Sequence, residues 1–107
     1  MGDARFVTGR GHGWLVWSDG AIELYGRAAV INNGLATVTY PIALPEKTYV
    51  ITVGERLATD PGNSLQIHTS MIIDGTVTNT GFQARCQSVD GSPSSYAFSW
   101  HAYYSPV

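Results

Sequence analysis

Polar and apolar side chains alternate along this chain with a period of two. No other feature constrains its fold as strongly. In residues 81–89, GFQARCQSV, the side chains of Phe82, Ala84 and Cys86 fall on one side and those of Gln83, Arg85 and Gln87 on the other. A period of two is the signature of a β-strand with one face buried. Near the C-terminus, Tyr96, Phe98, Trp100, Ala102 and Tyr104 alternate with Ala97, Ser99, His101 and Tyr103. Val38, Tyr40 and Ile42 alternate before Pro45, and Tyr49, Ile51 and Val53 after it. In residues 64–74, SLQIHTSMIID, the apolar set Leu65, Ile67, Met71 and Ile73 shares a face with Thr69. That pattern predicts an outward face of Gln66, His68, Ser70 and Asp74, together with Ile72.

Turn signals punctuate these runs: Ser18-Asp19-Gly20, Asn32-Asn33-Gly34, Asp74-Gly75, Thr80-Gly81 and Asp90-Gly91. Asn-Gly and Asp-Gly tolerate the positive φ that tight hairpins need. No helical period is sustained. About seven to eight such runs predict an all-β fold, an antiparallel β-sandwich. The last run, carrying Phe98 and Trp100, is expected to be a central core strand. Residues 1–12 read as a flexible lead-in, glycine-rich from Gly9 to Gly13, and residues 13–107 as one sandwich domain. Met1-Gly2 reads as an added start, so the natural chain is expected to continue upstream.

The composition narrows the function. The chain has 107 residues, enough for one domain with its own core. Its net charge is −2 and it has no basic run, which argues against a nucleic-acid partner. No apolar run approaches the ~20 residues of a membrane span, so no membrane insertion is expected. The single Cys86 cannot form an intrachain disulfide and reads as a small buried hydrophobe. Charged residues are 13% of the chain, against roughly 25% in ordinary domains. Two readings fit this deficit: a surface covered by a partner chain, or a neutral Ser/Thr-rich one.

Catalytic chemistry finds little support. There is no Gly-x-Ser-x-Gly elbow, and Ser99 and His101 are neighbours on one strand face without a third partner. The acids Asp19, Asp60, Asp74 and Asp90 sit in turn sequences, where they bond local backbone. Glu23, Glu46 and Glu55 form no recognisable acid pair for glycoside hydrolysis. His12, His68 and His101 lack metal-ligand spacing, so neither a metal nor a cofactor is expected. In a trimer, an outward His68 or His101 could still meet its copies on the threefold axis. Gly9-Arg10-Gly11-His12-Gly13 precedes a strand rather than a helix, which removes the context of a phosphate loop.

Several motifs recur in a recognisable order. Trp14, Trp17, Asp19, Gly20, Ile22 and Gly26 give Trp-x-x-Trp-x-Asp-Gly-x-Ile-x-x-x-Gly. Val38-Thr39-Tyr40-Pro41, Pro45 and Tyr49-Val50-Ile51-Thr52-Val53 follow. Then come Gly81-Phe82-Gln83-Ala84-Arg85 and Phe98-Ser99-Trp100-His101-Ala102. Together, over about residues 13–104, they resemble the C-terminal tip domain of bacteriophage or prophage tail-fibre proteins. The chain departs from that pattern at His101 and in Tyr103-Tyr104-Ser105-Pro106-Val107, where family members often end in an apolar strand.

The resemblance implies a non-enzymatic distal fibre domain on the virion, made in the host cytoplasm and acting outside the cell. It implies a homotrimer that attaches to the bacterial surface through lipopolysaccharide, another glycan or an outer-membrane receptor. The alternative is a structural trimerisation or capping module without a receptor site. The spacing of three puts Trp14 and Trp17 on opposite strand faces. Ile72, Trp17 and Tyr103 are expected to be the apolar outward residues. The candidate ligand-binding residues are Arg56, Asp60, Asn63 and Tyr103.

Overall fold

A computed structural model describes residues 4–28, 30–56, 60 and 68–106. Among these residues nine strands run in chain order: β1 Val7–Gly11, β2 Trp14–Trp17, β3 Ile22–Ala28, β4 Ile31–Asn32, β5 Leu35–Thr39, β6 Ile51–Glu55, β7 His68–Ile73, β8 Gly81–Ser88 and β9 Phe98–Tyr104. One 3-10 turn spans Asp74–Thr76. Two antiparallel sheets result, one of five strands in the order β1-β2-β3-β9-β6 and one of four in the order β4-β5-β8-β7. The expected all-β sandwich is present.

Between the sheets lies one core. Ile22, Leu24 and Ala28 of β3 meet Phe98, Trp100 and Ala102 of β9 there, facing Ala36, Val38, Phe82, Ala84 and Cys86 of the second sheet. β9 is central, paired with β3 on one side and β6 on the other, as its apolar face predicts. Cys86 is fully buried, the role expected of it. The Asn33-Gly34 turn between β4 and β5 has φ of 52° and 77°, the positive pair required by a two-residue hairpin.

Tyr40 lies 5.5 Å from the Trp100 ring and 6.2 Å from Phe82, yet its hydroxyl is buried without a hydrogen-bond partner among the described residues. Burial pushes the phenol up to about 12. The unfolded phenol titrates near 10, so stability should fall as pH rises from about 10 towards 12. Tyr40→Phe removes the orphaned hydroxyl. It is expected to raise stability by about 1 kcal/mol at neutral pH and to weaken that alkaline loss. Urea unfolding at neutral and alkaline pH checks both effects.

Three expectations are corrected. First, β7 is turned over: His68 and Ser70 are buried, Ile72 packs on the core, and Met71 is exposed. Period two defines two faces without saying which is inner, and the pairing with β8 decides it. Residues opposite each other point to the same face, so Ser70 follows buried Cys86 and Ile72 follows buried Ala84. The polar pair is accommodated by two neighbours. The Ser70 amide donates to Glu55 Oε1 at 3.0 Å, and the His68 ring stacks on Tyr96 at 4.9 Å. His68 Nε2 lies 3.2 Å from Glu55 Oε2 without the geometry of a hydrogen bond. His68 is therefore not on an outward face, nor is Ile72. Leu65 and Ile67 lie outside the described residues.

Second, Tyr96 precedes the last strand rather than joining its apolar face, and Tyr49, 57% exposed, precedes β6. Third, part of the stretch read as a lead-in is a strand: β1 forms the edge of the five-stranded sheet. Its glycines have a local cause. The Trp14 indole lies across Gly9 and Gly11, in space that a Cβ at either position would occupy or crowd.

Candidate functional site

The outer face of the five-stranded sheet collects the polar and aromatic side chains that alternate with the core. Its inner residues leave Arg10 of β1, Leu15 and Trp17 of β2, Glu23, Tyr25 and Arg27 of β3, Ser99, His101 and Tyr103 of β9, and Thr52 and Gly54 of β6 pointing out. Register sets these in rows. Glu23 stands beside Tyr103, Tyr25 beside His101 and Thr52, and Arg27 beside Ser99 and Gly54.

Glu23 organises one end of the face. The Trp17 indole Nε1 donates to Glu23 Oε2 at 2.6 Å, and His101 Nε2 lies 3.1 Å from Oε1. Trp17 is thus the outward tryptophan of the pair, and Trp14 packs on the core. The guanidinium of Arg5 lies 4.4 Å from the Trp17 ring centroid. Arg5 also donates to the Tyr103 hydroxyl at 3.2 Å and pairs with Asp19 at 3.4 Å.

The Trp17 hydrogen bond, with His101 adding to it against partial desolvation, holds the Glu23 carboxyl below its ordinary range. A lowered folded pKa gives stability that is present above the unfolded pKa and lost as pH falls through the folded one. Glu23→Gln is therefore expected to cost about 1 kcal/mol at pH 7, the low end for a charged hydrogen bond on a partly solvated group. The gap to the parent should close on acidification. Urea unfolding at several pH values measures it.

Of the sequence-predicted residues, Tyr103 and Arg56 lie at opposite ends of β9. Tyr103 is half-buried, tied to the chain by its amide donating to the Val50 carbonyl at 2.9 Å and by Thr48 Oγ1 donating to its carbonyl at 2.8 Å. Arg56 follows Glu55, which pairs with Phe98 at the other end of β9. Phe98 and Tyr103 are five residue steps apart along β9, roughly 17 Å. Asp60 is exposed, while Asn63 lies outside the described residues. The sequence reading missed Arg5, Glu23, Tyr25 and Arg27. The last three alternate with Ile22, Leu24, Gly26 and Ala28, so their outward direction was legible. Their placement beside β9 was not.

Among the described residues, no hydrolytic triad assembles on the face. No hydrogen bond joins Ser99 to His101 among the described residues, and the imidazole is turned to Glu23. Nor do three or more His, Cys, Asp or Glu side chains gather as a metal site among those residues. On the far side of β3, a cleft of about 410 Å³ opens between the sheets, lined by His12, Tyr25, Arg27, Thr37, Pro41 and Trp100 among others. The arrangement offers stacking surfaces and short polar groups, the chemistry of reversible recognition.

Comparison with known proteins agrees with this architecture. Residues 16–103 match the family model described as tail fiber protein gp53-like, C-terminal. The C-terminal part of the R2 pyocin fibre of P. aeruginosa has the same fold, with a TM-score of 0.63 at 20% identity over 96% of this chain and 26% of that one. An N-truncated R1-type pyocin tail fibre superimposes with a TM-score of 0.61 at 24% identity, over 96% of this chain and 87% of that one. The chain thus spans about a quarter of the longer R2 fibre fragment. No curated protein matches it. With most of its length matched by that model, the chain belongs to the gp53-like tail fibre C-terminal domain family.

Proposed function

We propose that this domain is the non-enzymatic attachment tip of a phage or pyocin-type tail fibre. It binds a bacterial surface glycan, lipopolysaccharide in the first instance, and works as a homotrimer at the distal end of the fibre. The observation that carries this reading is the outer face of the five-stranded sheet, where Trp17, Tyr25 and Tyr103 stand among Arg5, Glu23, Arg27 and His101. Aromatic faces and convergent polar groups on a rigid sheet suit a saccharide, which offers apolar C–H surfaces and many hydroxyls. Membership in a tail-fibre C-terminal family supplies the setting. Trimeric presentation would let weak sites act together, because linked sites raise avidity without new contacts.

Light scattering gives the solution mass, and labelled chain mixed with a panel of Gram-negative bacteria gives binding. The expected result is a trimer that adsorbs to some strains and is competed off by their extracted lipopolysaccharide. A trimer that adsorbs to no strain would favour a capping module instead. Release of reducing sugar from the bound polysaccharide would overturn the non-enzymatic reading.

A further inference from the structure

Arg27 lies exposed on β3. Among the described residues it makes no hydrogen bond or ion pair. Its neighbour across the sheet is Ser99, and the next strand over offers Gly54. The closest outward carboxylate on its own strand, Glu23, is engaged by Trp17 and His101. The Glu55 carboxylate at this end of the sheet is turned to the Ser70 amide. Arg56 follows Glu55 at the same end as Arg27 and adds a second exposed guanidinium. Two exposed arginines at one end of the sheet, neither ion-paired among the described residues, leave a local positive field on a chain whose net charge is −2.

The surroundings have a definite shape. Tyr25, 45% exposed, stands two residues from Arg27 on the same face, roughly 7 Å along the strand. Between β6 and β9 the surface dips into a hollow of about 270 Å³ walled by Thr52, Gly54, Ser99 and His101. The hollow exists because residue 54 has no side chain. A Cβ there would lie 2.9 Å from Ser99 Oγ. Tyr25 and Arg27, at the rim of the cleft beyond β3, stand on the same sheet face one strand over from this shallow depression.

We propose that this end of the sheet is a subsite for a saccharide bearing an anionic group, carboxylate or phosphate. The inference rests on the glycan-binding reading above and narrows it to a charge class and a place. The sugar ring stacks on Tyr25, its hydroxyls meet Thr52, Ser99 and His101, and its anionic group takes a bidentate bond from Arg27. Subunit interfaces are most apolar at their centre. This patch is small, polar and cationic, which favours the sugar over a second copy of the chain.

The test uses the 107-residue chain on an array of matched neutral, carboxylated and phosphorylated saccharides, with Arg27→Gln, Arg27→Lys, Tyr25→Ser and the remote Lys47→Gln beside it. Circular dichroism first establishes that each variant is folded. The expected result is at least about a tenfold preference for anionic over neutral partners, lost in Arg27→Gln and partly kept in Arg27→Lys. Tyr25→Ser should weaken every array member that binds, and Lys47→Gln should change nothing. Carboxylated and phosphorylated members report which anion is read. Bacterial adsorption that survives in Arg27→Gln with an unchanged array profile would overturn the subsite and leave the attachment function standing. Failure of the parent chain to bind any array member or any bacterium would overturn both. A change in oligomer mass in Arg27→Gln, with glycan preference intact, would assign the patch to an interface between copies and overturn the subsite.

Discussion

Gly81→Ala is expected to destabilise the domain by about 3 kcal/mol or more, among the larger effects of a single methyl group. The cause is space rather than backbone conformation. Gly81 opens β8 and pairs with Thr39 at the end of β5. A Cβ at Gly81 would overlap the carbonyl oxygen of Val38 and lie 3.3 Å from the Thr39 Cα. A clash with a flexible side-chain tip would relax, but these are backbone atoms, and the backbone is held on both sides. The Tyr40 amide donates to the Thr80 carbonyl at 2.8 Å, and the Thr78 amide donates to the Gly81 carbonyl at 2.9 Å. Admitting the methyl would break one of these bonds or spread β5 from β8. Gly75→Ala is the control, because nothing lies within 4 Å of a Cβ there. It should change stability by less than about 0.5 kcal/mol. In thermal unfolding the first variant should melt on the order of 10–20 °C lower, and the second close to the parent. Equal melting temperatures for the two would show that the β5–β8 contact is looser than described.

The same segment shows what the sequence could reveal. Its alternation of Phe82, Ala84 and Cys86 with Gln83, Arg85 and Gln87 marked strand, face and burial correctly, because one set is apolar throughout. The neighbouring β7 misled, since both of its faces are mixed. There, inward direction is set by register against β8 and by Glu55 reaching across to Ser70, neither of which is a local property. Trp14 and Trp17 were separable by spacing alone. The glycines that make room for Trp14 were not, because a glycine's reason is the atom that sits above it. The outer face was harder still. Tyr103 was legible as outward from the alternation of β9. That Arg5, nearly a hundred positions away in sequence, bonds its hydroxyl depends on β1 and β2 closing beside β3. Arg27 and Arg56 lie at the same end of the sheet only because β3 and β6 flank β9.

Trp100→Ala is expected to remove the domain from the soluble folded pool or to lower its stability by about 3–5 kcal/mol. Trp100 is 7% exposed and lies on the central strand β9. Its ring is 5.5 Å from Tyr40 and edge-on to Phe82 at 6.0 Å, so it joins the two sheets. On its other side the ring lies over Gly26, where a Cβ would come within 2.9 Å of it. Truncation therefore deletes an aromatic bridge and opens a void against a backbone that cannot collapse freely. A domain this small has about 5–15 kcal/mol in total, so such a loss takes a large share of it. Trp100→Phe keeps a ring against Tyr40 and Phe82 and should lose less. Soluble yield and urea unfolding followed by circular dichroism separate the variants. If Trp100→Ala folds with an unchanged midpoint, the sheets are joined elsewhere and the aromatic cluster is not the centre of the core. A Trp100→Phe loss as large as that of Trp100→Ala would place the stabilisation in the fit of the indole over Gly26 rather than in aromatic contact. Gly26→Ala, which crowds the indole from below, should then be as damaging as either.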